Sequence, residues 1–304
     1  MSAGPRVLVT GARGFLGAPL EALWRGRSRL FLARRTPGPG ILAGDLCDPA
    51  HARAVVREAR PDLVFHLAGT TKPEGLDALW REHVTMTDVL LSALASEGRP
   101  VRVVCAGSAA EYGAAGGARR PAEDAEAEPL SAYGTSKLAQ GLCALSFSRG
   151  PVEVVAARVF NVLGPGTPDN LAPGAFAKQI ALIEAGRQEP ELRVGDLSPK
   201  RDYLDRRDVA SALSALARRG RPGLAYNVGE GRSVTMRAIL DGLLAASTGR
   251  ARVVVDPSRL RPVQVKDMAA DVSRLRRDAA WRPKIPLARS LADTLAWWRE
   301  RTGA

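Results

Sequence analysis

Aromatic residues are scarce, at 5% of the 304 residues. No dense basic run carries aromatics between its charges, so a nucleic-acid groove is not expected. No apolar run reaches about 18 residues, the length a membrane-spanning helix needs. Cys47, Cys105 and Cys143 lie far apart, with no CxxC pair. They are expected to be free thiols in a reducing cytoplasm, not a disulfide framework or a zinc site. Three histidines, His51, His66 and His83, give no metal-ligand spacing, and no metal is expected. The first apolar run begins by residue 6, which leaves no room for a signal peptide.

Charge is not scarce. Lys+Arg number 44 against 32 Asp+Glu, a net +12, and the excess is scattered and almost all arginine. Two readings stand at this point: a solvated arginine-rich surface, or sites for small anionic ligands.

Short apolar runs alternate with amphipathic stretches through the first half. Strands are expected at Arg6–Val9, Leu30–Ala33, Leu63–Leu67, Val101–Ala106 and Val152–Val159. They are continuous in Val, Leu and Ile, as strands buried on both faces are. Helices are expected at Pro19–Trp24, Pro49–Ala59, Gly75–Glu97, Ala132–Phe147, Gly174–Glu184 and Arg206–Arg218. This alternation implies an α/β fold, a doubly wound parallel sheet with right-handed crossovers. After Asn161 the rhythm loosens. Leu192–Val194, Tyr226–Val228 and Arg252–Val255 read as short strands, and Met236–Thr248 and Leu287–Arg301 as helices. The division expected is a cofactor domain over 1–162 and a smaller lobe mainly over 163–304, with segments near 203–229 returning to the first. The stretch Ala114–Glu128 reads as a surface loop able to act as a lid.

The stretch Thr10-Gly-Ala-Arg-Gly-Phe-Leu-Gly17 sits between the first strand and the first helix. Three glycines let the backbone turn tightly and come close to a ligand. The helix then aims free N–H groups at that point, which suits a phosphate. This is the place of a dinucleotide-binding turn, although the spacing is GxxGxxG and such clusters alone often only make turns. Gly11, Arg13, Gly14, Phe15, Leu16 and Gly17 are the candidate cofactor contacts here.

Tyr133-Gly-Thr-Ser-Lys137 places a phenol and an ammonium on one helical face. A nearby ammonium, a second cation and bound cofactor favour the phenolate, so this phenol is expected to ionise closer to neutrality than usual. It could then protonate a carbonyl oxygen as hydride reaches the carbon. Ser108 ends a strand at the carboxyl edge of the sheet and could orient the same carbonyl. Ser108, Tyr133 and Lys137 are therefore the candidate catalytic residues. The second strand ends in Arg34-Arg35, where an NAD enzyme wants a carboxylate for the ribose hydroxyls. Two arginines could meet a 2′-phosphate, and NADPH is predicted over NADH.

These residues carry a resemblance that runs nearly end to end. The chain resembles the extended short-chain dehydrogenases/reductases acting on nucleotide sugars. Besides the motifs above it is carried by Asp45-Leu46, His66-Leu-Ala-Gly69, Gly107-Ser108 through Tyr112-Gly113, Arg158 through Pro165, Lys200-Arg-Asp-Tyr203, Tyr226-Asn-Val-Gly229 and Arg261-Pro262. Phe176–Ala181 and Trp281–Pro286 make it most similar to GDP-4-dehydro-6-deoxy-mannose reductases, with NDP-4-keto-6-deoxyhexose 4-ketoreductases close behind.

The resemblance implies a Rossmann-type domain with a sequence-discontinuous substrate lobe, a homodimer, no nucleic-acid partner, and a 4-keto sugar nucleotide as substrate. It implies that Asp45 and Leu46 hold the adenine, and that Leu67, Ala68 and Gly69 lie along the cofactor with Tyr133 and Lys137 at its nicotinamide ribose. Asn161, Arg201 and Arg261 match positions that grip the diphosphate. Ser108, Glu111 and Lys178 complete the implied substrate side. Plainer readings remain open: a salt bridge from Arg201 to Asp202, Asp205 or Asp208, an exposed loop position for Arg261, and a packed core role for His66. Dehydration would need acids directly after Ser108, where Ala109 and Ala110 stand. An epimerase with retained NAD, and a non-catalytic cofactor-binding protein, are the alternatives. Relatives often carry Asn where this chain has His83, which puts the proton relay behind Lys137 in question.

Overall fold

The computed structural model describes residues 4–70, 75–114, 120–260 and 265–303. In chain order the strands are β1 (Arg6–Thr10), β2 (Arg29–Arg34), β3 (Ile41–Ala43), β4 (Leu63–His66), β5 (Val101–Ser108), β6 (Val152–Val159), β7 (Asn161–Leu163), β8 (Glu191–Val194), β9 (Lys200–Asp205), β10 (Ala225–Val228), β11 (Ser233–Thr235), β12 (Arg252–Val255) and β13 (Asp267–Met268). The helices are α1 (Gly17–Trp24), α2 (Pro49–Ala59), α3 (Leu76–Trp80), α4 (Met86–Ser96), α5 (Ala132–Ser146), α6 (Ala172–Glu184), α7 (Arg206–Arg219), α8 (Met236–Ala245), α9 (Ser273–Ala279) and α10 (Leu287–Thr302).

Seven strands form one sheet in the order β10-β6-β5-β4-β1-β2-β3. Every pairing in it is parallel. The continuous apolar strands explain this, since each face of the sheet is covered. Val7 and Val9 of β1 look into one core with Leu213 and Leu216 of α7, whereas Leu8 looks into the other with Val55, Leu90 and Leu94. The strand order reverses between β1 and β4, which opens a crevice at the carboxyl edge. The expected Rossmann-type parallel sheet is thus present.

The remaining strands make two small sheets. Strand β9 pairs with β7, β11 and β13, and β8 pairs with β12. Helices α6, α8 and α10 close a separate core of Phe176, Ile180, Leu192, Ile239, Leu240, Leu291 and Leu295.

The expected single helix Gly75–Glu97 is interrupted. Between α3 and α4 the turn Arg81–Thr85 is a π-helix, and within it Glu82 and His83 swing toward the sheet edge. The Thr87 hydroxyl donates to the His83 carbonyl at 2.6 Å, holding the widened turn. Such π turns concentrate at functional sites. Of the expected surface loop Ala114–Glu128, residues 115–119 lie outside the described residues.

Candidate active site

A cleft of about 1340 Å³ runs along the carboxyl edge of β1, β2, β4 and β5 and on to α6 and β9. That exceeds a drug-sized pocket and gives room for a dinucleotide beside a second ligand. Its floor is the turn after β1. Gly11 has φ +69, and a Cβ there would meet the Ala68 nitrogen at 2.8 Å. A Cβ on Gly17 would meet the Gly11 carbonyl oxygen at 2.4 Å. The turn therefore packs backbone on backbone against the end of β4, and α1 starts with no side-chain cap on its N–H groups. That leaves its positive end open to an anion, which fits a dinucleotide's diphosphate. Gly11, Arg13, Gly14, Phe15, Leu16 and Gly17 all line the cleft, as do Leu67, Ala68 and Gly69. Arg13 is tied by its guanidinium to the Pro39 carbonyl at 2.9 Å.

At one end the cleft is lined by Arg34, Arg35, Asp45 and Leu46. The π turn supplies counter-charges. Arg35 donates to the Glu82 carboxylate, and Arg81 donates to Asp45 at 2.5 Å. Glu82 lines the cleft too, and no local motif marked it in the sequence.

Ser108, Tyr133 and Lys137 meet further along. Ser108 ends β5, where its side chain accepts from the Ala110 N–H at 3.2 Å and starts a short 3-10 turn. The N-cap Ser131 accepts from the Gly134 N–H at 3.0 Å and fixes the first turn of α5, which carries Tyr133. Burial pushes the Tyr133 phenol up, a hydrogen bond with Ser108 pulls it back, and the Glu111 carboxylate adds to the rise. This is opposite in direction to the acidic phenol expected with cofactor bound: burial outweighs the Ser108 contribution. The Lys137 ammonium donates to the Ala106 carbonyl at 2.6 Å and to Gln140. Burial lowers the Lys137 ammonium as well, against the Cys105 and Glu111 charges.

Behind Lys137 runs a buried polar chain. Gln140 Nε2 donates to Thr87 Oγ1 at 2.9 Å, and His66 Nε2 meets the same oxygen at 2.9 Å. Thr10 Oγ1 meets His66 Nδ1 at 2.8 Å and accepts from the Ala68 N–H at 3.3 Å. Because Thr87 spends its proton on the His83 carbonyl, the partners assign His66 the Nε2–H tautomer. Burial, and then the Lys137 charge, hold His66 at about 3, so it is neutral. It is fully buried and fully bonded, a packed core histidine.

On the substrate side, Asn161 and Arg201 line the cleft. Arg201 donates to the Lys200 carbonyl at 2.7 Å and has no carboxylate partner among the described residues. The salt bridges open to it in the sequence are not made. Asp202 accepts the N–H groups of Glu230, Gly231 and Ala270, Asp205 pairs with Arg207, and Asp208 accepts from Lys284 and Ile285. Arg261 lies outside the described residues.

Two expected substrate contacts are corrected. Glu111 is buried, accepts from the Ser108 N–H at 2.7 Å and pairs with Arg158 at 2.8 Å. The strand stops at Ser108, and the 3-10 turn folds the carboxylate beneath the cleft, not into it. Lys178 sits on α6, pairs with Asp169 at 2.8 Å and lies over the Trp298 ring, away from the lining. Ala109 and Ala110 do line the cleft, so the two positions after Ser108 present methyl groups. Among the described residues no cluster of potential metal ligands occurs, and no helix is long and apolar enough to cross a membrane.

Known proteins resemble this chain in sequence and fold. The model of the NAD dependent epimerase/dehydratase family matches residues 7–229. GDP-6-deoxy-D-mannose reductase of Pseudomonas aeruginosa is 32% identical over 97% of this chain and 98% of its own. dTDP-6-deoxy-L-talose 4-dehydrogenase (NAD(P)(+)) of Kitasatospora kifunensis is 30% identical over 96% and 95%. The structure of RMD from Pseudomonas aeruginosa complexed with NADPH superposes with a TM-score of 0.88 at 30% identity, covering 98% of this chain and 99% of that one. The chain belongs to the NAD dependent epimerase/dehydratase family and is an enzyme of the NAD(P)-dependent oxidoreductase type.

Proposed function

We propose that this enzyme reduces the C4 keto group of a nucleotide-linked 4-keto-6-deoxyhexose, of the GDP-4-dehydro-6-deoxy-mannose kind, with NADPH. One observation carries the reading. The Ser108–Tyr133–Lys137 group shares its cleft with Arg201, which has no carboxylate partner among the described residues, and the two positions after Ser108 are alanines. An unpaired guanidinium in a cleft suits a diphosphate. Alanines cannot move the protons that dehydration requires.

A bound nicotinamide supplies hydride to the carbonyl carbon. Ser108 orients the carbonyl oxygen, Tyr133 gives that oxygen its proton, and Lys137 holds the ribose and, once the cofactor is bound, favours the phenolate left behind. Asn161, Arg201 and Arg261 take the substrate diphosphate. Gly11 through Gly17 take the cofactor diphosphate, Asp45 and Leu46 its adenine, and Arg34 with Arg35 the 2′-phosphate. Residues 1–162 form the cofactor domain and 163–304 mainly the substrate lobe. The pairing of β10 with β6 supports a return of the segment near 203–229 to the first domain. The exposed Leu76, Trp80 and Leu142 on α3 and α5 support a homodimer, and free cysteines suit a cytoplasmic enzyme.

A second reading rests on Glu82. A carboxylate near the end of β2 can accept ribose hydroxyls and would suit a retained NAD and 4-epimerisation. Stoichiometric loss of NADPH absorbance with a 4-keto-6-deoxy sugar nucleotide is expected. Substrate conversion without that loss favours the epimerase.

A further inference from the structure

The π turn brings His83 into the cleft wall with a role that no sequence pattern assigned. Its side chain is almost fully buried, 1% exposed, yet the residue lines the cleft. Nε2 meets the Thr70 carbonyl at 3.1 Å, and Nδ1 meets Ser136 Oγ at 2.9 Å. A carbonyl only accepts, so Nε2 carries the proton and donates it. Burial, and then the Lys137 charge, hold the ring at about 4, so it is neutral, and its Nδ1 and the Tyr133 carbonyl are the two acceptors within reach of the single Ser136 hydroxyl proton. The ring packs edge-on to Tyr133, with centroids 5.6 Å apart and planes at 78°. It also covers Gly69, where φ is +150 and a Cβ would meet His83 Cδ2 at 2.9 Å.

One imidazole therefore joins three separate pieces of the site. Thr70 follows the end of β4 along the cofactor side of the cleft. Ser136 belongs to the first turns of α5 and sits three residues beyond Tyr133, whose carbonyl lies 2.9 Å from its hydroxyl. The third piece is the π turn that carries His83 itself.

Resting on the reading of Tyr133 as proton donor, we propose that His83 is a positioning residue. By bridging the Thr70 carbonyl and Ser136 it fixes the Tyr133 phenol against Ser108, where the carbonyl oxygen must sit. Misplacement of a reacting group by about 1 Å costs roughly a hundredfold in rate, so such a bridge matters to turnover.

The test reads the Tyr133 phenol beside Ser108 without any sugar substrate. The chain has only 4 tyrosines, so ring-13C tyrosine gives assignable signals in NMR pH titration. His83→Phe keeps a ring and removes both bridges. It removes no charge, since His83 is neutral near pH 7, while the charged neighbours Lys137 and Glu111 stay. A change at Tyr133 then reports geometry. Ser108→Ala sets the reference for loss of the hydrogen bond that pulls the phenol down. With NADP+ bound, and again without it, His83→Phe is expected to raise the Tyr133 midpoint in the same direction as Ser108→Ala, by about half a unit or more. Ser136→Ala is expected to move it the same way by less, and it decides the question alone if His83→Phe does not fold. In turnover, His83→Phe should lower kcat about 10- to 100-fold and leave KM within about threefold. A Tyr133 midpoint unmoved in the folded variants, while Ser108→Ala shifts it, overturns the proposal. A wild type that consumes no NADPH overturns the 4-keto reading instead and leaves the titration readable.

Discussion

At the residue scale the account rests on which side chains point into the cleft. Tyr133→Phe removes the proposed proton donor and keeps the ring. It is expected to lower kcat by about 10² to 10⁴ with the NADPH Kd nearly unchanged, measured by turnover and cofactor fluorescence. On the proposed NADPH reading, Arg35 has to leave Glu82 to meet the 2′-phosphate. That ion pair is partly exposed and weak, so Glu82→Gln should tighten NADPH about two- to fivefold and leave NADH alone. An equal gain for both cofactors, or weaker NADH binding, would assign Glu82 to the ribose hydroxyls. The residues legible in the sequence were those fixed by short spacing: Ser108 at a strand end, Tyr133 and Lys137 four apart on one helix, and glycines at a strand–helix turn. Glu111 was misread because where it points depends on β5 stopping at Ser108. Lys178 pairs with the nearby Asp169.

At the scale of elements, apolar strands announce themselves and polar ones do not. The sheet strands β1, β4, β5 and β6 were legible because each carries an apolar run buried on both faces, and the partly buried β2 because of its run Leu30–Ala33. Strand β9, Lys-Arg-Asp-Tyr-Leu-Asp, has no such run. It is held by its buried carboxylates: Asp202 gathers three backbone N–H groups, and Asp205 caps α7 and accepts from Ser290 at 2.6 Å. Hydropathy cannot mark a strand organised by buried acids. The π turn was also hidden, since the partners of its side chains, Ser136 and Thr70 for His83, lie on other segments. The Gly-rich turn offers a direct test. Gly17→Ala would press a methyl onto the Gly11 carbonyl, so the turn must move. We expect a cost of about 1–3 kcal/mol in urea unfolding and a loss of NADPH affinity of tenfold or more. Unchanged affinity would place the cofactor diphosphate elsewhere.

At the scale of the whole molecule, the buried histidines tie stability to pH. His66 is held at about 3 and His83 at about 4, both below the ordinary 6.5. Above pH 6.5 both are neutral in the folded and unfolded chain. Below it the unfolded chain takes up protons first, so stability is lost as pH falls from about 6.5 toward 4 and then 3. Each histidine contributes a slope of up to about 1.4 kcal/mol per pH unit. Urea unfolding at pH 7 and 5 checks this, and His66→Gln should flatten the slope by about one proton. The same scale holds the central claim, net reduction at C4. The most direct measurement supplies NADPH deuterated at the transferable position, with a 4-keto-6-deoxy sugar nucleotide, and reads the product by NMR. One deuterium at C4 per NADPH consumed is the expected result. Product that carries no deuterium, formed with the NADPH intact, would contradict it.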